Sequence, residues 1–169
     1  MKLPWQRRNS AEHPTRGPAT FAELRTMLLS TDPSKLGLGP TASLPHVWAA
    51  VLEMRLGPAV ASLVAVADGS VSLYTSVGGG VIGGGQHAAA REAAMVFLER
   101  AEASSALFEP RPSFAPPPSD RVAFIVLTYE QKLGADVAEA EVQTGTHPLS
   151  PCYAAAQDVI TQLRLASPH

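Results

Sequence analysis

The sequence predicts a single α+β domain of two layers, in which about five antiparallel strands form one sheet that helices cover. Three observations lead to this prediction. The 169 residues suit one domain, and the composition, 46% hydrophobic and 17% charged, is typical of a globular chain. Strand-like segments are joined by tight turns, which requires antiparallel pairing, and helical segments lie between them in the order α-βββ-α-ββ-α.

The first structured element is predicted at residues 20–29, after a polar stretch that contains prolines. Residues 1–18 are expected to form a flexible tail, so that the domain spans residues 19–169. Thr20 and Glu23 have the spacing of a capping box, in which each side chain bonds a backbone N–H at the helix start. The helix has one apolar face, formed by Phe21, Leu24, Met27 and Leu28.

Residues 46–56, HVWAAVLEMRL, fit two interpretations. As a strand, the segment places its large apolar residues on one face with a period of two, and Glu53 and Arg55 on the other. As a helix it has good propensity, but Arg55 then lies beside Trp48 and Leu52. The period of two favours a strand, and the helix stays open as the alternative.

Two further strands are predicted within residues 59–77, on either side of Asp68 and Gly69. This residue pair tolerates the positive φ angles of a tight hairpin turn. The second strand has an apolar face and a partly solvated face that carries its serines and Tyr74. The segment therefore predicts an antiparallel hairpin.

A helix is predicted at about residues 86–104, with a buried stripe of small and apolar residues and with its charged residues mainly outside that stripe. Residues 109–119, EPRPSFAPPPS, follow it and contain five prolines. Because proline lacks the N–H that a sheet ladder needs and favours an extended backbone, this segment is predicted to be a connecting arm.

Two strands and a helix complete the predicted fold. Residues 121–130 are apolar on both faces and predict a central strand. A turn at residues 131–134 leads to residues 135–143, whose acidic side chains are typical of an edge strand. The last helix is predicted from about residue 151, with Ser150 as its N-cap and a proline at its first position.

The candidate functional segment is the glycine-rich connection at residues 78–85. Its first part, GGGVIG, matches the G-x-G-x-x-G pattern of dinucleotide-binding loops, and a strand precedes it while a helix follows. That pattern belongs to a parallel βαβ unit, whereas the strand here is the second arm of a hairpin. The glycines are therefore predicted to serve the path of the backbone, and no nucleotide cofactor is expected.

A second interpretation of the same segment is a small-ligand or anion site. Free N–H groups at the start of a helix attract anions. The residues that such a ligand would contact are Gly78, Gly79, Gly80, Gly83, Gly84, Gly85, Gln86 and His87.

No catalytic residue is predicted in the chain. Cys152 and His147 form a conceivable nucleophile–base pair near the start of the last helix, but no catalytic signature surrounds them. A lone cysteine is usually a small buried apolar residue. The five histidines show no metal-ligand spacing, so neither a metal site nor a cofactor is expected.

Charge and hydropathy limit the expected partners and location. The net charge of −2 gives no overall basic field for nucleic acid. No apolar run approaches the length of about 18 residues that a membrane-spanning helix needs. The N-terminus also lacks the apolar segment of a secretory signal. The sequence therefore predicts a cytoplasmic protein without nucleic-acid or membrane partners.

Two stretches, VADGSVSLYTSVGGGVIGGG and HPLSPCYAAAQDVITQLR, carry a resemblance. They resemble a group of small, uncharacterised bacterial proteins with the same hairpin, glycine loop and final helix. This resemblance covers roughly residues 20–166 and implies no activity. At the level of the fold, the predicted sheet is similar to roadblock and profilin-like domains, which implies dimerisation and protein partners, small GTPases among them. The chain departs from the roadblock pattern because three strands, not two, precede its central helix.

These observations lead to two expectations about function. The first is a non-enzymatic interaction or structural domain that acts as a homodimer, built through a sheet edge or an alanine-rich helix face. The second is a small-ligand or anion-binding protein, or an enzyme, that uses the glycine-rich segment at the start of a helix.

Overall fold

The computed structural model describes residues 20–166 of the chain. Its strands are β1 (Val47–Leu56), β2 (Ala59–Val66), β3 (Val71–Thr75), β4 (Gly80–Ile82), β5 (Glu109–Pro110), β6 (Arg121–Thr128) and β7 (Lys132–Ala138). Its helices are α1 (Phe21–Leu29), α2 (Ala88–Ala103), α3 (Glu139–Thr144) and α4 (Ser150–Ala166). The predicted tail at residues 1–18 lies outside the described residues.

All seven strands belong to one sheet, in the order β4-β3-β2-β1-β6-β7-β5. Each neighbouring pair is antiparallel. The predicted α+β fold with an antiparallel sheet is thus confirmed, and the short strands β4 and β5 extend the predicted sheet at its two edges. Residues 46–56, which fitted either a strand or a helix, form the central strand β1 between β2 and β6.

One face of the sheet packs against α2 and α4. Leu52, Leu63 and Phe124 are buried there, and each such side chain stabilises the fold by roughly 1.5–3 kcal/mol. Small residues of α2 let the helix lie close to the strands, and they are Ala90, Ala93, Ala94 and Ala101. The alanine-rich stripe of α2 is therefore used inside the domain.

The opposite face of the sheet is covered by α1, so the domain has three layers, with helices on both faces of the sheet, rather than the two layers predicted. Leu24 and Leu28 of α1 pack there in a second core with residues of β1, β2 and β6. The ring of Phe21 meets the ring of Tyr74 edge-on, with the centroids 5.6 Å apart. The predicted capping box of α1 is present, since Thr20 and Glu23 exchange hydrogen bonds of 3.0 and 3.1 Å.

The proline-rich segment wraps around the β7 edge of the sheet. Phe108 lies in the core beneath α2, with its ring centroid 6.1 Å from that of Phe124. Phe114, six residues later, packs on the α1 face. Between them, β5 pairs with β7. The segment predicted as a connecting arm therefore begins with a short strand and then crosses to the other face.

The prediction for residues 131–143 was wrong in its boundaries. Thr128 closes the preceding turn, because its hydroxyl accepts a bond of 2.9 Å from the backbone N–H of Gln131, so β7 begins at Lys132. The second half of the predicted strand is helix α3, which ends at Gly145 in a left-handed conformation. The alternating alanines and glutamates also have high helix propensity, and this preference prevails after Ala138.

Candidate functional site

The glycine-rich segment begins as the turn of a hairpin between β3 and β4. The backbone N–H of Thr75 donates to the carbonyl of Gly79 at 3.3 Å, and its hydroxyl donates to the carbonyl of Gly78 at 2.6 Å. Both glycines have a left-handed backbone, with φ angles of 89° and 84°. The first glycines of the segment therefore form a tight turn, and part of the predicted loop is the edge strand β4.

Gly80 shows why a side chain is excluded from the start of β4. It lies opposite Tyr74 in the ladder and has a φ angle of 134°. A Cβ atom on Gly80 would overlap the carbonyl oxygen of Leu73 and approach the Cα atom of Tyr74. The close approach of two backbones therefore accounts for this glycine.

The second group of glycines joins β4 to α2. Gly83 has a left-handed backbone, and Gly84–Gln86 form a turn of 3-10 helix. A Cβ atom on Gly85 would overlap the carbonyl oxygen of Gly69 in the β2–β3 turn, and one on Gly84 would overlap the side chain of Leu163 in α4. These positions therefore support the interpretation that the glycines serve the path of the backbone.

Gln86 and His87, the side chains predicted to touch a ligand, are both exposed. His87 occupies the N-cap position of α2, and its side chain makes no capping hydrogen bond. The guanidinium of Arg91 donates to the carbonyl of Gly85 at 3.1 Å. The structure thus brings the predicted ligand residues together in one hairpin-to-helix segment, while ligand binding itself stays a prediction.

The β4 edge leaves backbone groups pointing away from the sheet. Opposed pairs in an antiparallel ladder alternate between pairs that exchange hydrogen bonds and pairs that do not. Because Thr75 bonds Gly79, the next bonded pair is Leu73 with Val81. The N–H and C=O groups of Gly80 and Ile82 consequently point outward, and no strand lies beyond them in the part of the chain that the structure describes.

The β7 edge, in contrast, is covered by the proline-rich segment at residues 109–119, which is called the arm below. The outward groups of Lys132 and Gly134 face Arg111 and Glu109 of the arm, and the backbone N–H of Arg111 donates to the carbonyl of Lys132 at 3.1 Å. Further along, the carbonyl of Asp136 accepts a bond of 2.7 Å from the guanidinium of Arg121. The carboxylate of Asp136 also pairs with Arg111 at 2.8 Å. Charged side chains, prolines and backbone groups that are already paired therefore prevent a further strand from adding to this edge.

Of the arginines that bind the arm or the strand beside it, Arg25 makes the most buried contacts. Its guanidinium binds both carboxylate oxygens of Glu53, at 2.7 and 2.8 Å, and donates to the carbonyl of Phe114 at 2.9 Å. The hydrogen bonds that Arg25 donates to Glu53 raise the pKa of Arg25, although its burial acts in the opposite direction. Glu53 lies on β1 with no exposed surface. This pair therefore ties α1, the sheet and the arm together.

Ser62 and Tyr74 lie beside Glu53 on the next two strands, so that the three residues form a polar row across the sheet. Ser62 lies opposite both Glu53 and Tyr74 in the ladders. Burial raises the pKa of Tyr74 to about 12, and the nearby hydroxyl of Ser62 opposes that rise. The two hydroxyls do not meet the geometry of a hydrogen bond, so the Ser62 oxygen is buried without a partner. At its raised pKa, Tyr74 is a neutral, buried phenol near neutral pH.

The residues considered for catalysis are used inside the fold. Burial raises the pKa of the Cys152 thiol to about 12, so the thiolate that a nucleophile requires is scarce. The Nδ1 atom of His147 accepts a bond of 3.0 Å from the backbone N–H of Leu149. Within residues 20–166, no three His, Cys, Asp or Glu side chains are placed to share a metal ion.

Glu102 is another carboxylate that bonds within the domain. Burial would raise its pKa, but hydrogen bonds from the side chain of His46 and from the backbone N–H groups of Val47 and His46 hold the pKa of Glu102 below its usual value. The bond from Val47 is 2.7 Å long. Glu102 therefore joins the end of α2 to the start of β1.

Comparisons with protein-family models, with curated proteins and with solved structures found no match. The resemblances noted in the sequence stay predictions. None of the helices in the described residues has the length and apolar character to cross a membrane.

Residues 80–82 were predicted as part of a glycine-rich connection, so their strand character and the open edge that it creates were not predicted. A signal for it was present, because no Lys, Arg, Asp or Glu lies between Asp68 and Arg91. Charged side chains are a common means of protecting an edge strand. A long uncharged stretch around a hairpin is therefore a sign that this edge is unprotected.

Proposed function

We propose that the protein is a non-enzymatic interaction domain that acts as a homodimer through the β4 edge of its sheet. The observation that carries this proposal is the contrast between the two edges. The β7 edge is covered, whereas Gly80 and Ile82 direct free backbone groups outward from an uncharged hairpin. An edge of this kind is a template for a further strand.

Two other observations support the proposal. The alanines of α2 pack inside the domain, which favours the sheet edge over the alanine-rich helix face as the site of self-association. Glu53 and Glu102 are engaged in internal bonds, and the thiol of Cys152 is buried. These groups thus have structural roles that explain their presence without catalysis.

The mass of the protein in solution tests the proposal. We expect sedimentation equilibrium to show a dimer whose population grows between micromolar and millimolar concentration. Ile82→Pro removes an outward N–H without removing a bond to β3, so this variant should remain folded and shift toward the monomer. Circular dichroism and thermal melting check its fold. A wild-type protein that is strictly monomeric over the whole range would overturn the proposal without reference to the variant.

A second candidate function, binding of a small anion, is favoured by one observation. The first turn of α2 contains no acidic residue, and His87 does not cap it with its side chain. Its free N–H groups are therefore available to an anion. Binding to the native state alone would raise the melting temperature with ligand concentration. Phosphate and nucleotides at millimolar concentration should produce that rise, and an unchanged melting temperature removes this candidate.

A further inference from the structure

We infer that the second copy pairs antiparallel with β4 about a twofold axis at Val81, which joins the two sheets into one. This inference rests on the proposed function and specifies its geometry. The partner is another molecule of this chain, and the contact is made mainly by backbone groups of residues 80–82.

The positions of the outward groups select the register. Antiparallel strands exchange bonds only between residues whose N–H and C=O groups both face the partner. On β4 these residues are Gly80 and Ile82. Placing Gly80 opposite Ile82 of a second copy satisfies both residues of both copies, and it forms about four hydrogen bonds in two pairs. Centring the axis on Gly80 or on Ile82 leaves fewer strand residues opposed.

The sequence around β4 suits a contact between identical copies. Three glycines precede Val81 and Ile82, and three follow them. An antiparallel pair brings the glycines before the strand in one copy toward those after the strand in the other. Since neither group has side chains, neither obstructs the approach of the two backbones.

The absence of charged residues around the β4 edge also favours a second copy of this chain over a charged partner. Identical edges with a net charge would repel each other across a twofold axis. The hairpin and its flanks, from Gly69 to Ala90, contain no Lys, Arg, Asp or Glu. A twofold contact is closed, because it uses the one edge of each copy that is open within residues 20–166. Since the β7 edge is covered, the assembly stops at the dimer.

Cysteine cross-linking tests the register. In this arrangement Val81 faces Val81 of the second copy in a pair that exchanges no hydrogen bonds, with Cα atoms about 4.5 Å apart. That separation lies within the range that a disulfide spans. Val81→Cys should therefore form a covalent dimer rapidly under mild oxidation, seen on a non-reducing gel. Cys152 does not interfere, because it is buried.

Val77→Cys is the matched control, since Val77 is 71% exposed in the same hairpin but lies off the strand. It should cross-link at least tenfold more slowly. Equal rates for both variants would indicate random collision and overturn the register. The register would also be overturned if the reduced V81C protein had the mass of a dimer but did not cross-link under oxidation. The proposed function would stand in that case. A monomeric mass of folded wild-type protein would remove both.

A variant that fails to fold does not leave the inference untested. Concentration-dependent protection of the Gly80 and Ile82 amides in the wild-type protein is a second readout of the same pairing, and it needs no substitution. Unchanged exchange of both amides in a dimer would overturn the pairing.

Discussion

The β7 edge and the β4 edge of one sheet differ in how their outward backbone groups are used. At the β7 edge, the arm pairs with the strand, and arginines bind the carbonyl and the carboxylate of Asp136. At the β4 edge, Gly80 and Ile82 have no further strand within residues 20–166. A sheet with one covered and one open edge is suited to forming dimers rather than open-ended filaments.

The difference between the edges depends on residues that are distant in sequence. The arm stays on the β7 edge because Arg25 of α1 binds the carbonyl of Phe114 and because Arg55 binds the carbonyl of Pro117 at 2.9 Å. The β4 edge needs only local turns, since its glycines close the hairpin and lead into α2. Protection of one edge is therefore a tertiary property, while exposure of the other is a local one.

The largest expected effect follows from removing Arg25. Arg25→Ala leaves the carboxylate of Glu53 buried without its partner, which should lower the free energy of unfolding by about 3–5 kcal/mol. The arm also loses a contact, so assemblies larger than the dimer should form as the second edge becomes accessible. Urea unfolding and light scattering measure the two effects.

Two controls separate charge burial from loss of the arm contact. Replacing Arg25 and Glu53 together by leucine should recover most of the lost stability, because no buried charge remains. Arg111→Ala removes an exposed ion pair and should cost less than about 1 kcal/mol. Its assembly should be unchanged, because Arg25 and Arg55 still hold the arm on the β7 edge. A loss below about 1 kcal/mol for Arg25→Ala would contradict the assigned role of the buried pair.

A smaller effect is expected from adding a methyl group at Gly85. In Gly85→Ala the new Cβ atom meets the carbonyl oxygen of Gly69, a backbone atom that cannot rotate away. We expect a loss of about 2–3 kcal/mol, as for other overpacked sites. Gly79→Ala is the control, because its Cβ atom meets open space and only the left-handed backbone is disfavoured, at about 1 kcal/mol. Equal losses in urea unfolding would show that close packing does not explain Gly85.

Much of the fold was predictable because its signals are local. The capping box of Thr20 and Glu23 marks α1, and the Asp68-Gly69 turn marks the β2–β3 hairpin. Ser150 and Pro151 mark the start of α4 to within one residue, although Ser150 is the first residue of the helix rather than its predicted N-cap. Each signal involves neighbouring residues whose backbone preference agrees with the final structure.

Two of the features that were missed depend on contacts between distant residues, whereas the third, β4, depends on a local turn whose glycines give no strand signal. The pairing of Arg25 with Glu53 across 28 positions fixes α1 on the second face of the sheet. The pairing of Glu109 with Gly134 makes a strand from a segment rich in proline. Gly80 has no intrinsic preference for a strand, so the tight turn before it creates β4. The glycine segment was therefore identified as the candidate site, but its edge geometry was not.

Amide hydrogen exchange at the β4 edge tests the central claim most directly. The N–H groups of Gly80 and Ile82 point outward, whereas that of Val81 lies in the ladder with β3. In wild-type protein, exchange at Gly80 and Ile82 should slow as the concentration rises from micromolar to millimolar, while exchange at Val81 changes much less. Unchanged exchange at both outward amides, in a sample whose mass is that of a dimer, would show that the copies meet elsewhere.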